Sequence, residues 1–173
     1  MTHLRKNIGV VPQDSFLFSD TIINNIRFGN EKVSKKEIEE VCEIAGIHKE
    51  ILKFKDQYNT MLGERGVNLS GGQKQRVCIA RALVKKPKIL ILDDCLSALD
   101  TETEEKIIKS LNKYIKDTTT IISSHRISSI QNLDKIIVLN DGKIIQKGSH
   151  EELINENGYY KQLYFKQLTE KED

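Results

Sequence analysis

The segment LSGGQ at residues 69–73, followed by a run with apolar residues at helical spacing, constrains this chain more than any other feature. Ser70 and Gln73 have the spacing of a capping box, in which each side chain accepts a backbone N–H at the start of a helix. Gly71 and Gly72 have no side chains, so a ligand can approach the backbone closely there. Because unpaired N–H groups and the helix dipole favour an anion, the segment predicts a phosphate site.

A strand that ends in acid follows this helix. Residues 88–93 read KILILD, and Asp94 comes next. An apolar run of this kind predicts a buried parallel strand, which delivers Asp93 and Asp94 to its carboxyl end. That edge of a sheet is where α/β proteins bind ligands, and carboxylate oxygens suit a hard cation. The pattern therefore predicts a magnesium position.

These two motifs, with SALD at residues 97–100 and Ser-His at 124–125, resemble the nucleotide-binding domain of an ATP-binding cassette (ABC) transporter. Their order and spacing match that family over nearly the whole chain. The resemblance implies an α/β fold of three layers, similar to P-loop NTPases, with a mainly parallel sheet. It places a helical subdomain with the Q-loop and signature at residues 14–86, and Walker B, D-loop and switch histidine in a catalytic-core part at residues 87–173. Residues 1–173 then form a single, partial domain.

The implied activity is ATP hydrolysis that drives export across a membrane, with ATP and Mg²⁺ as cofactors. In this resemblance Asp93 holds magnesium through water, and Gln13 helps to place the metal and the attacking water. Asp94 stands at the general-base position. His125 corresponds to the switch histidine that contacts the γ-phosphate.

Three further sets of residues are implied to face partner chains. The signature residues would bind the nucleotide of a second domain: Ser70, Gly71, Gly72 and Gln73. A D-loop would line the dimer interface: Ser97, Ala98, Leu99 and Asp100. Two charged residues of a glycine-flanked loop would contact the membrane domains: Glu64 and Arg65. The expected partners are thus transmembrane domains and a second nucleotide-binding domain, at the cytoplasmic face of the membrane.

Composition excludes several classes of protein. With 27 basic and 25 acidic residues the net charge is +2, which gives no electrostatic footprint for nucleic acid. Three cysteines, at positions 42, 78 and 95, stand singly in apolar contexts, which predicts buried thiols in a reducing compartment. No run of eighteen apolar residues is present, so the sequence predicts no membrane span.

The main departure from the family pattern concerns the phosphate-binding loop, which would precede the Q-loop near the N-terminus. The sequence contains no G-x-x-x-x-G-K-[ST] loop to hold the β- and γ-phosphates. In the family that loop precedes the Q-loop, so the chain is expected to represent about the last three quarters of a domain. Whether Met1 marks a premature start, an engineered boundary or a broken gene is left open by the sequence.

Three hypotheses follow for function. The first is the ATPase domain of an exporter, or most of one; the loop at residues 62–66 favours an exporter over an importer. The second is a non-catalytic module that only completes a partner's nucleotide site. The third, a soluble ABC protein acting on DNA or ribosomes, is disfavoured by the balanced charge and by the absence of a long coiled-coil insertion.

Asp94 predicts a weakened catalytic base in this resemblance. Active members of the family carry glutamate directly after the strand aspartate, and aspartate is one methylene shorter. Its carboxylate would fall about 1.5 Å short, and a displacement of that size can cost about 100-fold in rate. An intact signature beside a weakened base resembles the degenerate half of a heterodimeric exporter.

The remaining pattern predicts further elements. Strands are expected at residues 7–11 and 118–123, and a hairpin around Asn140-Asp141-Gly142. Helices are expected after Ser34 and over residues 101–115. In the family the strand that leads into the phosphate loop lies between those ending near His125 and Leu139. Without it the sheet would carry open edges, so we expect low stability or self-association.

We predict that the isolated chain binds Mg-ATP with a dissociation constant weaker than about 1 mM, against the micromolar range of a complete site. The reason is that Asp93 and Gln13 act on a phosphate that is already held, and the loop that would hold it is not in the sequence. Isothermal titration calorimetry measures this directly. A clean micromolar isotherm from the chain alone would contradict it.

Overall fold

The computed structural model describes residues 2–170, with side chains from Leu4 onward. The helices of this part are α1 (Thr2–Lys6), α2 (Ile22–Arg27), α3 (Lys35–Ile44), α4 (His48–Ile51), α5 (Gly71–Leu83), α6 (Thr101–Tyr114), α7 (Ile127–Ile130), α8 (His150–Asn155) and α9 (Tyr159–Thr169), with 3₁₀ turns at Gln57–Asn59 and Glu64–Gly66. The strands are β1 (Ile8–Val11), β2 (Ile89–Asp93), β3 (Thr119–Ser123), β4 (Ile136–Asn140) and β5 (Lys143–Gly148). The chain forms two compact units, which divide between Ser123 and Ser124.

The first unit is built on a parallel sheet in the order β1-β2-β3. Val11 pairs with Leu92, and Asp93 pairs with Ser123, so the carboxyl ends of the three strands meet at one edge. Pro12 follows β1 directly, where its missing N–H costs the ladder nothing. The sheet therefore brings the ends of β1 and β2 together.

The two faces of this sheet differ in burial. On one face Val11 and Leu92 are fully buried in the main core, together with apolar residues of α2, α3, α5 and α6. Alanine or a larger residue at Gly9 would place its Cβ 3.2 Å from the carbonyl oxygen of Ala82, so glycine lets α5 lie close to β1. On the other face Val10 and Ile121 remain 53% and 54% exposed. An apolar row across the sheet is thus left open to solvent.

Side-chain caps fix where the helices begin. Ser34 accepts the N–H of Glu37, and Glu37 accepts the N–H of Ser34, which is the capping box predicted for α3. Asp100 caps α6 by accepting the N–H of Thr103 at 2.9 Å. This bond, together with the hydroxyl of Thr103, holds the pKa of Asp100 below its usual value. The caps place residues 97–100 immediately before α6.

The second unit consists of the β4–β5 hairpin and helices α7 to α9. Asp141 and Gly142 both have positive φ, 47° and 73°, as a two-residue hairpin turn requires. Leu153 and Tyr160 are buried in a small core of this unit. The hydroxyl of Tyr160 lies 2.8 Å from Nδ1 of His150, and burial raises the pKa of Tyr160 to about 12.

The expected fold class is confirmed: the chain has a mixed α/β fold with a parallel sheet. The predicted strands and the hairpin form with ends shifted by one or two residues. All three cysteines are buried and free, as predicted, and burial raises the pKa of both Cys42 and Cys95 to about 12. The division into residues 14–86 and 87–173 stays a prediction. No helix within residues 2–170 has the length and hydropathy needed to cross a bilayer.

We predict that the isolated chain self-associates through the open face and the β3 edge. Replacing Ile121, 54% exposed in an edge strand, with lysine adds charge at that edge. It should weaken association by about tenfold or more, measured by sedimentation velocity over a range of concentrations.

Val67→Lys is the matched control, because Val67 is 74% exposed but lies outside the sheet. It should leave association unchanged. A monodisperse monomer with a sharp unfolding transition in the unmodified chain would show that the open face and the β3 edge do not mediate self-association.

Candidate functional site

The first turn of α5 has the geometry that its sequence predicts. Ser70 is the N-cap, with φ −66° and ψ 161°, and its Oγ accepts the N–H of Gln73 at 3.2 Å. In return Oε1 of Gln73 accepts the N–H of Ser70 at 2.9 Å. Both capping side chains are therefore fixed, and a serine hydroxyl that accepts one bond still carries a hydrogen to donate. The turn is prepared for an acceptor such as phosphate.

An open cleft of about 390 Å³ lies beside this turn. It is lined on one side by Ser70, Gly71 and Gly72 and on the other by residues 98–100. The backbone N–H of Ala98 donates to Oε1 of Gln75 on α5 at 3.3 Å, which ties the two sides together. Two motifs that are more than twenty residues apart in sequence thus form one cleft.

The two glycines of the turn have different surroundings. A Cβ at Gly72 would lie 2.8 Å from Cδ2 of Leu99 and 3.3 Å from the carbonyl oxygen of Ala98. A Cβ at Gly71 would lie 3.7 Å from the nearest atom, the Cβ of Ala98. A Cβ at Gly72 would therefore press on Leu99 and crowd the backbone at Ala98. Gly71 has room for a Cβ and is exposed, so its backbone is accessible from outside the chain.

Glu50 and Arg76 also line the cleft, and sequence reasoning did not find Glu50. Nη1 of Arg76 lies 2.6 Å from Oε1 of Glu50, and Nε2 of Gln73 donates to the other carboxylate oxygen at 2.8 Å. Partial burial alone would raise the pKa of Glu50, but the hydrogen bonds from Arg76 and Gln73 outweigh it and the pKa is lowered. Arg76 thus has an acidic partner inside the chain. The partner could not be identified from sequence, because it lies on α4.

The carboxyl edge of the sheet carries the predicted acidic site. Asp93 is exposed and Asp94 is half-buried at the end of β2. Asp94 has φ 42°, in the left-handed region, and its N–H donates to the carbonyl of Ser123 at 2.9 Å. Ser97 holds the turn by donating its hydroxyl to the carbonyl of Asp94 at 2.9 Å. Strain of this kind persists at functional sites where neighbouring bonds enforce it.

Gln13 lies at the same edge, two residues after Val11, and is exposed. A glutamine amide oxygen and the Asp93 carboxylate are donors of the kind that Mg²⁺ accepts while it keeps several waters. Within the part of the chain that the structure describes, no three His, Cys, Asp or Glu side chains form a metal-binding group. The donor set fits a magnesium ion bound mainly through water and a substrate.

His125 follows β3 by two residues and belongs to the second unit. It is exposed, and its carbonyl oxygen accepts a hydrogen bond from Nε2 of Gln167 at 2.7 Å. Gln167 also accepts the N–H of Ile127, so its amide fixes the backbone on either side of Arg126. The approach of the His125 side chain to a phosphate stays a prediction.

An aromatic cluster follows Gln13 in sequence. Phe16 and Phe18 stack edge to face at 5.1 Å, Phe28 lies 4.7 Å from Phe18, and all three are exposed. Arg81 of α5 lies 5.4 Å from the ring centroid of Phe18, and its Nη1 donates to the carbonyl of Phe16 at 2.8 Å. Sequence reasoning missed this cluster, for which the alternation in FLF is the available signal.

The loop that contains Glu64 and Arg65 projects as predicted. Both side chains are exposed in the 3₁₀ turn Glu64–Gly66, and Arg65 has φ 52°. Asn68 closes the loop by accepting the N–H of Gly63 and donating to the carbonyl of Met61. The two charges are therefore held outward on a fixed backbone. Their contact with a partner stays a prediction.

Comparison with known proteins gives a consistent result. A family model described as ABC transporter matches residues 1–97, more than half of the chain. "ATP-binding cassette sub-family B member 6" from Xenopus tropicalis is 51% identical over 96% of the chain, which spans 20% of that protein. "Multidrug resistance-like ATP-binding protein MdlA" from Buchnera aphidicola is 53% identical over 97% of the chain, which spans 29% of it.

A solved structure is also similar. The chain superposes on a bacterial Atm1-family ABC exporter with ATP bound, with a TM-score of 0.93 and 44% sequence identity. The match covers 96% of this chain and 29% of the exporter chain. The chain therefore corresponds to less than a third of the length of each of these relatives.

We predict opposite effects of alanine at the two glycines of the turn. Gly71→Ala should raise the free energy of unfolding by about 0.5–1 kcal/mol, because alanine favours a helix and the site has room. Gly72→Ala should leave the chain about 1–2 kcal/mol less stable than Gly71→Ala, because its Cβ presses on buried Leu99.

Urea unfolding of both variants and the unmodified chain measures the difference. Equal stability of the two alanine variants would mean that Leu99 moves aside without cost, and the packing argument for Gly72 would fail.

Proposed function

The chain belongs to the ABC transporter family, within its ATP-binding domains, and from this membership we propose that the cleft beside Ser70 closes over ATP held by a second nucleotide-binding domain. The observation that carries the proposal is the cleft of about 390 Å³ between the glycine turn and residues 98–100. The room at Gly71 lets the phosphate chain of a nucleotide come against the backbone. The similar solved exporter, with ATP bound, supports this choice of ligand.

The chemistry of the cleft suits the terminal phosphate of ATP. The hydroxyl of Ser70 and the N–H groups of the first turn of α5 donate hydrogen bonds in a fixed arrangement. The residues proposed to grip the partner's nucleotide are Ser70, Gly71, Gly72 and Gln73. Ser97, Ala98, Leu99 and Asp100 form the adjoining part of the dimer interface.

The carboxyl edge of the sheet supplies this chain's share of a second site. With magnesium bound there, Asp93 would orient its waters and Gln13 would help to place the attacking water. Asp94 would stand at the general-base position. For His125, which belongs to the second unit, the proposed role is a hydrogen bond to the γ-phosphate. When bound, magnesium neutralises charge on the phosphates. The exposure of Asp93 and Gln13 at one edge supports these roles.

The whole protein is proposed to couple ATP hydrolysis to export, since its relatives include exporters. This domain would then lie at the cytoplasmic face of a membrane, against transmembrane domains. Glu64 and Arg65 are proposed to contact those domains. Their outward position on a loop closed by Asn68 supports a docking role, and the exposed aromatic cluster offers a further apolar surface.

We further propose an asymmetric pair. A weak nucleotide site is built on Asp93 and Asp94 of this chain, whose base is one methylene short. A strong site is built on the partner's glutamate and this chain's Ser70. The intact turn at Ser70, with both capping bonds made, supports an active contribution to the partner's site.

In the full-length protein co-purified with its partner, Asp94→Asn should leave most ATP turnover, whereas Ser70→Arg should lower turnover by about 100-fold or more. Asparagine, like aspartate, tolerates the left-handed backbone of position 94, so the turn is kept. Steady-state phosphate release measures both variants.

Ser34→Arg is the matched control for losing a serine cap, since Ser34 has the same capping box on α3 but lies outside the cleft. It should cost about 1 kcal/mol of stability and little turnover. If Asp94→Asn abolishes turnover as fully as changing the partner's base does, or the protein is an active homodimer, the asymmetric proposal is wrong.

A further inference from the structure

The first turn of α5 combines an ordered geometry with a sequence that disfavours order. Gly71 and Gly72 together cost about 1–2 kcal/mol of helix propensity relative to alanine. A turn with this composition frays unless side chains hold it. The capping box between Ser70 and Gln73 supplies one restraint. Its strength depends on Gln73 keeping its amide in one orientation, with Oε1 towards Ser70.

Glu50 determines that orientation. Its Oε2 accepts Nε2 of Gln73 at 2.8 Å, so the other end of the amide must present its oxygen to the Ser70 N–H. A flipped amide would face both Ser70 and Glu50 with the wrong atoms. Glu50 lies on a short helix whose neighbours Ile47 and Ile51 are buried, so its own position is fixed.

Arg76 completes the arrangement. Its Nη1 donates to Oε1 of Glu50 at 2.6 Å and to the carbonyl of Gly46 at 2.8 Å, and its Nε donates to the carbonyl of Gly72 at 3.2 Å. The guanidinium thus links the glycine turn to the end of α3. It also neutralises the carboxylate, which would otherwise repel an anion in the same cleft.

We infer that Glu50 is a positioning residue for the signature turn: through Gln73 and Arg76 it holds Ser70, Gly71 and Gly72 in the arrangement that grips the partner's nucleotide. The functional part of this inference rests on the proposed function, whereas the positioning itself does not. Glu50 touches no nucleotide in this scheme. It acts only through the side chains that it orients.

The test is a reciprocal exchange of the two side chains in the full-length protein with its partner. Gln73→Glu sets two carboxylates against each other at a contact that is now an N···O hydrogen bond of 2.8 Å. Glu50→Gln leaves one amide oxygen at position 50, where Gln73 and Arg76 now bind separate carboxylate oxygens, and its NH2 group faces one of these two donors. The double variant, E50Q with Q73E, restores the hydrogen bond between the two side chains with donor and acceptor exchanged. The carboxylate at position 73 still accepts the N–H of Ser70, and the amide oxygen at position 50 still accepts a bond from Arg76.

Each single variant should lower kcat by about 10- to 100-fold, with the apparent KM for ATP within about twofold, because the partner's own loop holds the nucleotide. The double variant should recover to within about threefold of the unmodified protein. Glu39→Gln, which removes a half-buried carboxylate 3.7 Å from Lys35 on α3, is the control for loss of a charge and should change neither constant.

Hydrogen exchange of the Ser70 and Gln73 amides gives a readout that does not depend on ATP. Each single variant should speed that exchange about fivefold, and the double variant should reverse it. Glu50→Ala, which creates no opposed pair and alters a side chain that is 33% exposed, should speed exchange and lower kcat without loss of the fold.

The outcomes distinguish the positioning role of Glu50 from the proposed function of the cleft. Full activity of Glu50→Ala, or a double variant as impaired as the singles, would overturn the positioning role. If exchange responds and recovers as expected but Ser70→Arg leaves turnover intact, the positioning stands and the proposed function is wrong.

Discussion

The structure depends on keeping a glycine turn rigid at the start of α5. Glycine lets a ligand approach, but it also gives the backbone the most freedom to lose on ordering. The chain resolves this conflict with side chains on either side of the two glycines and on α4, because the glycines have none of their own. Ser70 and Gln73 close it locally, and Glu50 and Arg76 fix it from α4 and along α5.

Two other segments of the first unit form hydrogen bonds with α5, the helix that begins at this turn. Gln75 binds the backbone of Ala98, which sets the opposite wall of the cleft. Arg81 donates to the carbonyl and the side chain of buried Asn25 at 2.7 Å each, and Asn25 in turn holds Phe18. The segment that begins near Gln13 is thereby tied to the helix that carries the signature. A continuous set of hydrogen bonds therefore connects Phe18 to α5 through Asn25 and Arg81.

Sequence predicted those parts of the site whose cause is local. The capping box of Ser70 and the strand that ends in Asp93 are set by spacing within a few residues. The Glu50–Arg76 pair joins residues 26 apart, and α4 has no pattern that marks Glu50 as different from other surface acids. Its role depends on how α4 packs near α5, which no single-sequence pattern encodes. Family resemblance predicts an open strand edge, whereas the exposed apolar face around Ile121 follows only from how the helices pack on the sheet.

Asp94 illustrates how backbone geometry and side-chain length have to be considered together. Its φ of 42° turns the chain out of β2, and bonds to Ser123 and Ser97 hold it there. Aspartate is among the residues that adopt this conformation most readily, so it relieves strain that a longer side chain would bear. Under the proposed function, the same short side chain would reduce its reach towards an attacking water. In the proposed asymmetric pair such a position would be tolerable, because the partner's glutamate would carry out the hydrolysis. The turn at Ser70, whose two capping bonds are both made, would then serve that second site.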